Sequence, residues 1–409
     1  MKSFWKHVSS VFAGTVLAQS VPLVGSLFIT RIFAPSEFGE FATWLALVSF
    51  IAVAVTLRFE TVLVIVEDGL ARAQAVLIIL MTTVAAATVL SLCLIVLKHL
   101  PGIQHYLPEK TILLALLVPA ALLMALNQVW QTWAAADGAY GKLNAMRLVQ
   151  ALATVLLQVS AGLKYPNVLS LVLGFVLASG IAFAWAVILM PRFIHREFLD
   201  STEFRKFFHR YRKFPQYALP ADSINTAAAQ LPVLVVSYRF GNEAAGYLAL
   251  TMRVLGAPVG LVGKAVLDVF KRYAVQSIRQ IGNCRTLYVN TFMALSLASL
   301  AMVIGTIFLA EDIFRVAFGP EWDESGRITI WLLPMFAMGL IASPLSYMTY
   351  LVEKQRIDML WQFGLFMAAI GALYGFSSYK STLIGYGTGY AAMYLIYIFI
   401  SYRLSGGSK

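Results

Sequence analysis

The sequence predicts an all-α integral membrane protein of twelve transmembrane helices arranged as two sets of six, and three observations carry that prediction. Of 409 residues, 60% are hydrophobic and only 12% charged, with a mean hydropathy of +0.77, a composition that soluble domains do not have. The apolar residues come in long runs, each close to the roughly 20 residues an α-helix needs to cross about 30 Å of hydrocarbon. The runs fall on either side of one basic segment, residues 191–217.

Each span follows from an apolar run bounded by Pro, Gly or charge. The first, 11–33, comes after a short basic start, is too long for a signal-peptide core and has no small-residue cleavage site after it, so it is read as a permanent span. The others of the first half are 38–65, 71–98, 111–133, 143–163 and 167–190. Those of the second half are 217–238, 244–266, 286–310, 326–351, 358–377 and 381–402. The domain reading is an N-terminal six-helix lobe at 1–191, a basic cytoplasmic linker at 192–216 and a C-terminal six-helix lobe at 217–409.

Charge orients the chain. With alternate loops assigned to alternate sides, 20 of the 31 lysines and arginines lie on the side holding both termini and 8 on the other. The positive-inside rule therefore places both termini in the cytoplasm. The longest outer loop, 311–326, carries Glu311, Asp312, Glu321, Asp323 and Glu324. The three remaining cations, Arg58, Arg253 and Lys264, fall inside spans and are assigned to neither side. An ionisable group there costs about 2.5–3.5 kcal/mol by insertion scales, so it faces a partner or a water-filled cavity.

Two halves of similar length invite a search for a repeat. A shift of 207 residues lays Phe33 on Phe240 and Gly39 on Gly246, at the turn after the first helix of each half. Six plus six around a cytoplasmic linker is a transporter layout.

Three stretches carry a family resemblance. They are the turn Arg31-Ile32-Phe33-Ala34-Pro35-Ser36-Glu37-Phe38-Gly39, the run Leu57-Arg58-Phe59-Glu60, and Phe318-Gly319-Pro320-Glu321-Trp322 followed by Pro334 and Ser343-Pro344-Leu345-Ser346. Together they resemble the Wzx-type oligosaccharide flippases of the multidrug/oligosaccharidyl-lipid/polysaccharide (MOP) superfamily, to which MATE-like drug exporters also belong. The resemblance covers essentially the whole chain. It implies a V-shaped pair of lobes that alternates access. The implied cargo is an undecaprenyl-pyrophosphate-linked oligosaccharide repeat unit, moved from the cytoplasmic to the outer leaflet of the bacterial inner membrane for O-antigen, lipopolysaccharide or related polysaccharide synthesis. Candidate partners are then membrane lipids, polysaccharide assembly proteins and a coupling H+ or Na+. The alternative is a MATE-like cation-coupled drug exporter. Such exporters commonly carry an acid in the first span, whereas this one has only Gln19, Ser20, Ser26 and Thr30 as polar residues.

The residues point separately to an anionic cargo. In the eighth span Arg253 and Lys264 are eleven positions apart, which leaves them about 20° apart in azimuth and about 16 Å apart along the axis. Gly256, Ala257 and Gly260 lie between them, so the face reads as a shallow trough with a cation at each end, suited to a pyrophosphate. Its competing reading is a helix-packing groove with Lys264 snorkelling beside Asp268. In the fifth span Arg147, Gln150, Thr154 and Gln158 share one face. That face serves either sugar hydroxyls below a phosphate or hydrogen bonds between helices. In the fourth span Asn127, Gln128, Gln131 and Thr132, beside Trp130 and Trp133, form a further polar wall, the tryptophans reading as an interfacial belt before a sugar platform.

Arg58 and Glu60, two residues apart, point about 200° from each other on a continuous helix, so each is expected to find a partner elsewhere. Arg58 is a candidate for the lipid phosphate. Glu60 and Asp222 are candidate ion-coupling groups, with Asp268 a third, and Asp222 after Pro220 is equally a helix cap. Tyr386, Tyr390, Tyr394 and Tyr397 form a stripe that reads as packing before sugar stacking.

Other classes are excluded or disfavoured. The net charge of +11 is spread over short loops, which argues against nucleic acid. His7, His99, His105, His195 and His209 lack metal-site spacing, Cys93 and Cys284 are isolated, and there is no Walker loop or dinucleotide fingerprint, so no metal or cofactor is expected. A membrane polysaccharide polymerase or ligase would need a large outer loop bearing Arg or His, and residues 311–326 hold one Arg and no His.

Overall fold

The computed structural model describes residues 20–97, 110–189 and 201–406. The basic N-terminal start and residues 190–200 of the basic segment lie outside the described residues. Helices make up almost everything that is described. They run α1 (Ser20–Ile32), α2 (Pro35–Thr56), α3 (Leu70–Leu97), α4 (Thr111–Ala136), α5 (Tyr140–Gly162), α6 (Val168–Leu189) and α7 (Ser201–Tyr211). After these come α8 (Leu219–Phe240), α9 (Asn242–Ile281), α10 (Arg285–Phe318), α11 (Asp323–Leu345), the single turn α12 (Met348–Leu351), α13 (Gln355–Gly375) and α14 (Tyr379–Leu404). Among the described residues, ten helices are long and apolar enough to cross a membrane. Large apolar side chains stay exposed on them, including Leu92, Leu297, Phe308 and Val316, a surface that only lipid would cover.

The chain forms two compact units. One is Ile32–Ala245; the other is Gly246–Lys409 together with the chain up to Arg31. Their division does not follow the basic segment. Helix α8 belongs with α2 to α7: it packs on α2, and its N-terminal acid Asp222 is tied to Arg58 just beyond α2.

In the first unit, α2 packs on α4 and α8, and α4 on α6. The core at one end gathers Phe59, Leu63, Ile79, Trp130, Trp133, Met146 and Phe207. Trp130 and Trp133 are therefore buried, 6% and 3% exposed, and are neither a belt nor a sugar platform. Helix α7 joins this core through its aromatic face, with Phe207 and Phe208 at 5.5 and 5.3 Å from the Phe59 ring. Between α7 and α8, residues Phe214–Ala218 form a π-helical turn, so the chain reaches Pro220 already helical rather than starting a span there.

In the second unit, α11 is the buried centre, packed on α10 and α14. Trp322, fully buried, donates from Nε1 to the Thr30 carbonyl at 2.8 Å and meets Tyr247 edge to face. Arg31 donates to the Val316 carbonyl at 2.6 Å. Both family-like stretches, at 31–39 and 318–322, thus include residues that anchor the end of α1.

Several boundaries move. The expected second span, 38–65, ends as an α-helix at Thr56, and α9 and α10 extend far beyond 266 and 310. The acidic stretch 311–326 is largely helical rather than a loop, since α10 runs to Phe318 and α11 begins at Asp323. The helix starts match the repeat register: α2 begins at Pro35 and α9 at Asn242, the 207-residue shift.

Candidate functional site

A partly buried charged cluster lies where α2 stops. Leu57 and Arg58 take left-handed conformations, φ 50° and 60°, which side-chain-bearing residues adopt only at a cost. The chain then winds into a 3-10 turn, Phe59–Val64. That break overturns the expectation that Arg58 and Glu60 point apart, because the 100° per residue of a continuous helix no longer applies. Arg58 Nη1 lies 2.8 Å from Glu60 Oε1, and Arg58 Nε lies 2.7 Å from Asp222 Oδ2 on α8, off the direction of its N–H. One guanidinium therefore holds two carboxylates. Glu60 is 1% exposed and its Oε2 has no hydrogen-bond partner.

Asp222 is no helix cap. The cap of α8 is Ala218 without a side-chain bond, and Asp222 reaches Arg58 instead. A cavity of about 210 Å³ opens on the cluster, lined by Arg58 and Glu60 with Ser49, Thr56 and Gln128 as neutral polar groups. Gln128 belongs to the polar wall read from the fourth span, whereas Ser49 was not singled out from sequence, its helical neighbours Leu45, Ala46, Ala52 and Val53 all being apolar.

The polar stripe of α5 separates into two fates. Arg147, exposed, donates from Nε to Gln131 Oε1 on α4 at 3.1 Å, so this pair stays open and polar. Gln150 is partly buried, and Thr154 spends its hydroxyl on the Gln150 carbonyl at 2.7 Å. Gln158 is buried and donates to the Leu171 carbonyl of α6 at 2.9 Å. Asn127 likewise donates to the Ser179 carbonyl at 2.9 Å. These last two join helices inside the unit.

The eighth span keeps its trough. A Cβ added at Gly260 would meet nothing within 4 Å, and one at Gly256 only Phe336 at 3.9 Å. A close-packed groove is what Gly387 shows, with the Trp331 carbonyl oxygen at 2.6 Å. Arg253 is partly buried, whereas Lys264 and Asp268 are both exposed and form no ion pair with each other.

Sequence reasoning missed two buried charges. Arg72, counted there as a loop cation, is 5% exposed and pairs with Asp68 and Asp137. Asp358 is 7% exposed and accepts from Tyr397 at 2.5 Å, Gln362 at 2.7 Å and Tyr350 at 3.1 Å. The tyrosine stripe of α14 is thereby accounted for at one end by a carboxylate and along its length by ring contacts, such as Tyr386 to Tyr390 at 4.7 Å. Cys284, in the turn before α10, is buried, which pushes its thiol up to about 11. Among the described residues no group of His, Cys, Asp or Glu could hold a metal.

A family model described as "Polysaccharide biosynthesis protein" matches residues 28–327. No match is found among curated proteins. Among solved structures, the lipid II flippase MurJ in an inward closed conformation aligns with a TM-score of 0.76 at 13% identity, covering 97% of this chain and 87% of that one. An outward-facing multidrug resistance MATE family transporter of the MOP superfamily aligns at 0.57 and 12% identity, over 99% of this chain and 96% of that one. A MOP superfamily transporter from Pyrococcus furiosus aligns at 0.56 and 11%, over 99% and 96%. The fold is that of MOP-superfamily flippases and transporters.

Proposed function

Because the chain belongs to the polysaccharide biosynthesis protein family, we propose that this multi-pass membrane protein is a flippase for undecaprenyl-pyrophosphate-linked oligosaccharide repeat units. It carries them from the cytoplasmic to the outer leaflet of a bacterial inner membrane, for O-antigen or a related polysaccharide, by exposing its site alternately to the two sides. The observation that carries this reading is Arg58, a guanidinium at the wall of a cavity that it shares with Glu60 and with the neutral polar groups Ser49, Thr56 and Gln128. A guanidinium matches phosphate oxygens in a fork, while hydroxyl and amide groups suit sugar hydroxyls. Arg147 with Gln131 repeats that combination on α4 and α5. The open trough between Arg253 and Lys264 offers a third cationic surface. Glu60, Asp222 and Asp268 remain the candidate ion-coupling groups, and both termini are assigned to the cytoplasm.

One observation favours a second reading, a cation-coupled drug exporter: at the cavity two carboxylates face one guanidinium. Expression in a host lacking its own repeat-unit flippase separates the two. Surface glycan is expected to return with the wild-type chain and to fall at least tenfold with Arg58→Gln. Drug resistance without surface glycan would overturn the flippase reading.

A further inference from the structure

The Arg58 cluster carries more charge of one sign than an anion site should. Its one cation and two carboxylates sum to −1, so as it stands the cluster repels the phosphate that Arg58 would otherwise attract. Two features say which carboxylate yields. Glu60 is 1% exposed, whereas the Asp222 side chain is 36% exposed. Glu60 also has an oxygen, Oε2, to which nothing donates. The charged groups acting on Glu60 are Arg58 beside it and Asp222 from α8. Helix α4 presents Gln128 as its one polar side chain to the same cavity, and α7 packs the uncharged rings of Phe207 and Phe208 on Phe59, the residue before Glu60.

A buried carboxylate that loses its only cation cannot stay ionised without a large desolvation cost; it neutralises instead. Resting on the flippase reading, we infer that head-group binding and protonation of Glu60 are one linked event: the cargo phosphate takes Arg58 from Glu60, and Glu60 binds one proton at Oε2. The proton comes from solution through the 210 Å³ cavity that reaches both side chains. No covalent bond of the cargo changes. The exchange leaves Arg58 and Asp222 with zero net charge and turns Glu60 from a repelling acceptor into a donor for a phosphate oxygen. It ties the uptake of one proton to head-group capture and makes the Arg58 to Glu60 pair the latch of the empty site.

The test uses the purified full-length chain and farnesyl pyrophosphate as a short probe, with affinity measured by calorimetry from pH 5.5 to 8.5 in two buffers of different ionisation enthalpy. The probe's own titration is common to all variants and cancels in their ratio. The wild type is expected to lose affinity about tenfold per pH unit relative to Glu60→Gln on the alkaline side, and to take up one more proton on binding. Glu60→Gln should bind at high pH as tightly as the wild type does at low pH. Asp222→Asn should keep the slope. If Glu60→Gln does not fold, wild-type proton uptake beyond the probe's own share decides the question. A wild type that binds with no excess proton, or the same slope in Glu60→Gln, overturns the linkage and leaves the cargo reading in place. A wild type that binds no pyrophosphate at any pH overturns the cargo reading itself.

Discussion

At the residue scale the structure sorts polar groups in membrane helices by what they bond. Gln158 and Arg147 share a helical face in sequence, yet one is sealed between helices and the other is exposed. Gln158→Leu is therefore expected to cost stability and not transport. Interhelical hydrogen bonds in membranes are worth about 0.6 kcal/mol on average and up to about 1.7, so the melting temperature of the purified protein should fall by a few degrees while surface glycan stays near the wild-type level. A loss of glycan with unchanged melting temperature would return Gln158 to the cargo path. Sequence could not make this distinction, because spacing gives the azimuth of a side chain and not the element opposite it. Gly174 supplies that missing fact: its Cα approaches α5 so closely that a Cβ would lie 2.9 Å from the Gln158 nitrogen.

At the element scale the informative features are the places where a helix stops or opens. The α2 break was invisible to hydropathy, since Leu57 to Val64 is as apolar as the helix before it apart from Arg58, Glu60 and Thr61. Reading it as continuous helix inverted the relation between Arg58 and Glu60. The π-helical turn before α8 was hidden in the same way behind Pro215 and Pro220, each of which alone suggests an end. The trough of α9 was legible, because small residues at helical spacing either pack or leave space, and the neighbours decide which. Gly260→Leu is expected to fold with a melting temperature within a degree or two of wild type and to lower transport, since it fills open space. Gly387→Ala is expected to reduce folded yield several-fold, since its Cβ would press on backbone at 2.6 Å and overpacking costs about 1–3 kcal/mol. Expression level, melting temperature and surface glycan of the pair check both arms. Normal transport by Gly260→Leu would remove the trough from the cargo path.

At the scale of the whole molecule, the all-helical membrane fold was legible for one reason: hydrocarbon thickness fixes span length, and long apolar runs satisfy their backbone polar groups there as helices. The grouping of helices was not legible, because it depends on which faces pack on one another, as α8 does on α2, and on long-range ties such as Asp222 to Arg58 and Trp322 to the Thr30 carbonyl. Orientation rests on charge alone and has a direct test. A fluorescent protein fused after Lys409 should be bright, since that fold matures in the cytoplasm. A lone cysteine introduced at Glu321 in an otherwise cysteine-free chain should be labelled in intact cells by a reagent that cannot cross the inner membrane. The turn between α12 and α13 offers the opposite control: a cysteine at Lys354 should react only after the membrane is opened. The reverse pattern would put the Arg58 cluster, one helix on from Pro35, at the outer rather than the cytoplasmic end of α2. A cargo entering from the cytoplasm would then meet the far end of that helix first, and Arg58 would be better suited to release than to capture.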